Sequence, residues 1–157
     1  MSRHRNEITP ILLVALVAAV TVVACSGNKQ TPASKEFCRS LSLISKTYAK
    51  EYAAVWSGPV NVNDVTPELN RQVILEKEKL DGLRQIKAPA SISERYDRYL
   101  LLTGELVRQD RVYLATYRRD KTAQRNTIVT KGLYKNINRL SRNLRVYCSN
   151  KPGQDNR

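Results

Sequence analysis

The chain has 157 residues and a net charge of +13, from 27 Lys and Arg against 14 Asp and Glu. Six glycines and six prolines are too few for an all-β domain built on tight turns. A single histidine, His4, leaves almost no room for imidazole catalysis or histidine-ligated metals.

Arg3 and Arg5 open the chain, followed by an apolar run from Ile8 to Ala24 and then Cys25-Ser26-Gly27. A basic start, a short apolar core and small residues at a cut site describe a secretory signal peptide. The stretch Val22-Val23-Ala24-Cys25 resembles the lipobox of bacterial lipoproteins, with Val22 where Leu is more usual. That resemblance implies a diacylglyceryl group on the Cys25 thiol, cleavage before Cys25, and a further acyl chain such as palmitate on the new N-terminus. A thiolate suits the alkylation because it is the nucleophilic form of the side chain. Two or more acyl chains anchor a protein stably, whereas one is marginal. The implied location is the extracytoplasmic face of the cell membrane, held by lipid. The alternatives are a plain secretory signal, with Cys25 an ordinary thiol, or an uncleaved membrane helix. The apolar run of 17 residues is at the short limit for spanning and has Pro10 near its start. Because the signal has no Arg-Arg pair, the general secretory route is favoured over the twin-arginine one.

The expected organisation is a signal peptide over 1–24, a polar tether over 25–33, a helical domain over 34–149 and a polar tail over 150–157. Cleavage removes His4, which excludes histidine-based nucleophile activation and every histidine-ligated metal site from the mature chain. The mature charge is uneven. Residues 25–107 hold 12 basic and 10 acidic groups, and residues 108–157 hold 13 basic and 3 acidic. Such a gradient points to one face meeting something anionic, the alternative being a general solubility charge.

Four helices follow in order. The first is expected from Ser34 to Trp56, where Phe37, Leu41, Ile44, Tyr48, Tyr52 and Val55 repeat at helical spacing and Ser57-Gly58-Pro59 ends the run. The second starts at Thr66-Pro67-Glu68, with Thr66 as N-cap, and carries Leu69, Val73, Leu80, Leu83 and Ile86. Ser91-Ile92-Ser93-Glu94 reads as a capping box for a third helix over Ile92 to Arg118, whose apolar stripe Asp110 interrupts. The fourth spans Ile128 to Cys148, with Val129, Leu133, Ile137, Leu140, Leu144 and Tyr147 as its buried side. Short connections favour an all-α, up-down-up-down four-helix bundle.

With Cys25 assigned to lipid, Cys38 and Cys148 are an even pair in an exported domain, which reads as one disulfide. In an antiparallel bundle of four helices, the start of the first and the end of the last lie at the same end. The bridge and the helix count therefore agree. Two buried free thiols are the alternative. As a whole, the chain is also similar to small exported lipoproteins of high-GC Gram-positive bacteria with a helical domain. Ala24-Cys25-Ser26-Gly27 and the Cys38/Cys148 pair carry that likeness, and it implies no activity.

The residues that carry chemistry are few. Glu76, Glu78, Asp97 and Asp110 are carboxylates without a motif, and Asp110 reads best as the partner of a nearby Arg or Tyr. No catalytic residue, metal ligand set or cofactor site is expected. Tyr48, Tyr52, Trp56, Tyr113 and Tyr117 offer a possible groove between the first and third helices for a small molecule or lipid tail. The alternative is core rings with wet hydroxyl tips. On the fourth helix, Lys131, Lys135, Arg139, Arg142 and Arg145 fall within a sector of about 120°, opposite the apolar stripe. No acidic residue occurs from Lys121 through Gln154. The expected function is a membrane-anchored, non-enzymatic lipoprotein whose basic face binds lipid headgroups, a wall polymer or an acidic protein. Nucleic acid is not an expected partner, for no recognised binding module is present.

Overall fold

A computed structural model describes residues 31–61, 63–125 and 127–149. The signal peptide, Cys25, most of the tether and the polar tail lie outside the described residues. Four helices form an all-α bundle: α1 (Pro32–Trp56), α2 (Thr66–Arg84), α3 (Ser93–Arg119) and α4 (Thr127–Ser149). No strand occurs among the described residues. Consecutive helices pack side by side, α1 on α2, α2 on α3 and α3 on α4, and α4 returns to α1.

Each helix end has a local cause. At α1, the Thr31 hydroxyl accepts the backbone N–H of Ser34 at 3.2 Å, and Pro32 fills a position whose missing N–H costs nothing. Pro32 and Ala33 thus belong to the helix, not to the tether. At α2 the expected N-cap, Thr66, is the first helical residue, and Val65 holds the N-cap position without a side-chain cap. One residue before it, Asp64 Oδ1 accepts from the backbone N–H and the hydroxyl of Thr66, at 3.0 and 2.6 Å, which satisfies the first free N–H of the helix. The capping box before α3 does not form. A 3-10 turn over Ala90–Ile92 takes its place, and the Ser93 hydroxyl donates to the carbonyl of Ala90 at 3.1 Å. Ile92 is buried, and seating it tightens the chain into 3-10 geometry, overriding the local preference for a Ser91 cap.

The end of the bundle that holds the α1 start is the better packed. Phe37, Leu83, Ile92, Tyr96, Tyr99, Leu106, Ile137, Leu140 and Leu144 form one core. The Tyr96 ring meets Phe37 edge-on at 5.1 Å, and its hydroxyl donates to the Leu83 carbonyl at 2.7 Å. The same carbonyl, in the last turn of α2, also accepts the Ile86 backbone N–H at 3.1 Å. Cys38 and Cys148 are bridged there, with Cα atoms 5.5 Å apart. The loop so closed has 109 intervening residues, for which chain entropy gives roughly 4–5 kcal/mol of stabilisation. Beside the bridge, the Ser34 and Tyr147 hydroxyls share a 2.8 Å hydrogen bond. On α4 the expected stripe holds from Leu133 onward, but Val129 is 40 % exposed. It sits in the first turn, and the inward place near it belongs to the buried Thr130.

Candidate functional site

The α4 band is displayed as the periodicity predicts. Lys131, Lys135, Arg139 and Arg142 are exposed and Arg145 is half-buried, while Ile137, Leu140 and Leu144 are buried on the opposite side. Three other cations of the C-terminal part pair with acids, two of them at the surface and one in the core. Arg108 pairs with Glu105 at 2.6 Å, Lys121 with Asp64 at 2.7 Å, and Arg125 with Asp110. Arg118 donates to Asn70 at 2.8 Å. Among the described residues, Lys131, Lys135, Arg139 and Arg142 make no salt bridge. From Lys131 to Arg145 the band runs about 21 Å along the helix.

The Lys121 pair has a different task. Its ammonium lies over the Tyr117 ring at 4.9 Å and donates to Thr66 Oγ1 at 2.5 Å as well as to Asp64. The α1–α2 and α3–α4 connections are tied together by it. The hydrogen bond from Lys121, followed by those from Thr66, holds the Asp64 carboxyl down at about 2.

A second polar constellation lies inside the half of the bundle away from the disulfide: Asp110 has the Arg partner expected of it, and sequence reasoning missed that Glu76 is buried beside it. Glu76 on α2 is 5 % exposed and Asp110 on α3 is 3 % exposed. Gln72 Nε2 donates to Glu76 Oε1 at 2.8 Å. Arg125, from the α3–α4 connection, donates to Asp110 Oδ1 and to the Tyr134 hydroxyl, the latter at 3.2 Å. Burial, then the neighbouring Asp110 charge, pushes the Glu76 carboxyl well above the usual range. The two oxygens left without another partner are Glu76 Oε2 and Asp110 Oδ2, both buried. A proton on Glu76 supplies the hydrogen bond that two ionised carboxylates cannot make. Burial also raises the Tyr134 hydroxyl to about 12, so it stays a neutral acceptor for Arg125. With both carboxyls sealed from solvent, the network joins α2, α3 and α4 and presents no oxygen to a dissolved substrate.

The rings expected to line a groove fall into two separate groups. Tyr52 is buried with Val55 and with Leu75 of α2, and Tyr48 and Trp56 pack against them. Tyr113 and Tyr117 meet at 5.9 Å on α3, and the Tyr117 hydroxyl accepts the Val65 N–H at a long 3.5 Å. Among the described residues no ring contact joins the two groups. No cluster of three or more carboxylates and thiols that would hold a metal occurs among the described residues. No helix among them is long and apolar enough to cross a membrane. Compared with known protein families, characterised proteins and solved structures, the chain matches none.

Proposed function

We propose that this chain is a non-enzymatic, lipid-anchored protein of the cell envelope that binds an anionic partner through the outer face of α4. The carrying observation is the contrast in how the C-terminal charge is used. Arg108 and Lys121 pair with acids at the surface and Arg125 pairs with the buried Asp110, whereas Lys131, Lys135, Arg139 and Arg142 stand exposed on one line and make no salt bridge among the described residues. An uncompensated band of that kind costs self-repulsion, which an anionic partner relieves. The anchor rests on Cys25 and the Val22-Val23-Ala24 that precedes it. The absence of histidine after His4 and the sealed Glu76–Asp110 pair speak for binding rather than catalysis.

The test uses a soluble form beginning after Cys25 and a purified anionic wall polymer, with a neutral polysaccharide as control. Binding requires the negative charge and weakens with salt. Each basic residue contributes about 1 kcal/mol near an anionic surface. Arg139→Gln with Arg142→Gln therefore weakens binding at least tenfold while leaving the unfolding midpoint unchanged. Equal binding by parent and variant overturns the reading. The anchor is tested separately in cells: Cys25→Ser stops incorporation of labelled fatty acid, and continued labelling refutes it.

A further inference from the structure

The exposed line of α4 carries more than charge. Ile128 is 85 % exposed and Val146 is 52 % exposed. At about 100° per residue these two fall on the same outer line as Lys135, Arg139 and Arg142, one beyond each end of the basic band. The face therefore reads apolar, then cationic, then apolar over about 27 Å. A soluble polyanion has no use for the two apolar ends. A bilayer uses both features, since an interfacial helix buries aliphatic side chains at the acyl boundary while its cations meet the headgroups.

The anchoring geometry decides between two postures. Cys148 is bridged to Cys38 near the start of α1, so the disulfide end of the bundle is the tethered end. Lys131 lies 17 residues from Cys148 along α4, or about 26 Å. Standing upright on its tether, the bundle would hold Lys131 and Lys135 far beyond a Debye length of about 8 Å. Lying on α4, it would bring all five basic residues to the surface at once. Thr31, where α1 begins, would then stand at most about 15 Å above the headgroups, given interaxial distances of 8–10 Å and a helix radius near 5 Å. The six peptide steps from Cys25 to Thr31 reach about 20 Å when extended. The tether is thus long enough for the lying posture.

Resting on the reading of α4 as an anion-binding face, we infer that its occupant is the anionic leaflet of the membrane carrying the lipid anchor, with the bundle lying on its side along α4. Ile128 and Val146 enter the acyl boundary, and Lys131, Lys135, Arg139, Arg142 and Arg145 meet phosphodiester headgroups between them.

The experiment measures partition of the soluble form onto phosphatidylglycerol vesicles and onto neutral phosphatidylcholine vesicles, in parallel with the wall polymer. The parent binds the anionic vesicles and not the neutral ones. Lys131→Gln with Lys135→Gln weakens vesicle binding as much as Arg139→Gln with Arg142→Gln, about fivefold for each charge removed. Ile128→Gln with Val146→Gln weakens vesicle binding about tenfold and leaves polymer binding unchanged. If the polymer binds and the vesicles do not, the basic face stands and this inference falls. Unchanged vesicle binding by the Ile128/Val146 variant also overturns it, as does a Lys131/Lys135 variant that matters much less than the Arg139/Arg142 one. Loss of all binding to both ligands in the parent removes the basic-face reading itself.

Discussion

Arg125 leaves the connection between α3 and α4 and pairs with Asp110 inside the bundle. The acid is sealed and the base is three-quarters covered, with a side-chain exposure of 25 %. Desolvating such a pair offsets most of its attraction, so its presence adds little net stability, but removing one partner strands a buried charge. Arg125→Gln is therefore expected to cost on the order of 3 kcal/mol. The double variant Arg125→Gln with Asp110→Asn leaves no buried charge at that position and recovers much of the loss. Urea unfolding of the parent, both single variants and the double variant measures the coupling directly. An Arg125→Gln variant as stable as the parent contradicts the assignment.

Glu76 beside Asp110 makes stability depend on pH in a stated direction. Its folded carboxyl holds a proton more tightly than the unfolded chain does, because burial and the Asp110 charge disfavour ionisation. That stabilisation is complete below the ordinary Glu value of 4.5 and is lost as pH rises towards and through the higher folded value. One proton of difference gives a slope of about 1.4 kcal/mol per pH unit across that window. Glu76→Gln keeps an acceptor for Gln72 and supplies a permanent donor toward Asp110. The variant is expected to lose the decline and to exceed the parent at alkaline pH. Urea unfolding from pH 5 to pH 9 checks this, and an unchanged slope in the variant rejects the shared proton.

What could be read from the chain alone follows from how periodic each feature is. Phe37, Leu83, Tyr96 and Leu144 stand on strong 3.6-residue stripes, and all four are in the core. The Cys38–Cys148 bridge was read from the even pair of cysteines, agreed with the helix parity, and is formed. Arg139 and Arg142 were legible as exposed because they lie opposite the stripe they share a helix with. Glu76 was legible only as a place on the α2 stripe, three residues after Val73 and four before Leu80, while Glu78 falls off that stripe; the partners of Glu76 were not legible. One is buried and the other exposed because α2 carries Gln72 and Glu76 on the side that meets Asp110. Asp110 was recognisable as an acid on an apolar stripe, but which of many Arg side chains reaches it depends on the path of the α3–α4 connection. The cap of α3 failed for a similar reason. Ser91 and Glu94 satisfy the local pattern, and burial of Ile92, a tertiary effect, sets the actual geometry.

The glycines inside helices give a graded test of the packing and isolate the α4 face from its stability. A Cβ on Gly132 would meet nothing within 4 Å, one on Gly104 would meet Leu80 Cδ2 at 3.6 Å, and one on Gly82 would meet Ile44 Cδ1 at 3.3 Å. Glycine in a helix interior is about 1 kcal/mol worse than alanine. Gly132→Ala is expected to gain most of that, since its Cβ enters open space. Gly104→Ala makes an ordinary van der Waals contact and gains a similar amount. Gly82→Ala obliges the tip of Ile44 to move by a few tenths of an ångström across the α1–α2 contact, so its gain is reduced or cancelled. Thermal unfolding of the three variants should rank Gly132 and Gly104 above Gly82, and a reversed order contradicts the close approach of α1 to α2. Gly132 also lies beside Lys131 and one turn before Lys135. If Gly132→Ala raises the unfolding temperature while leaving anion binding unchanged, α4 presents its charges as an already formed helix. If binding changes with it, the face is shaped only when the partner arrives.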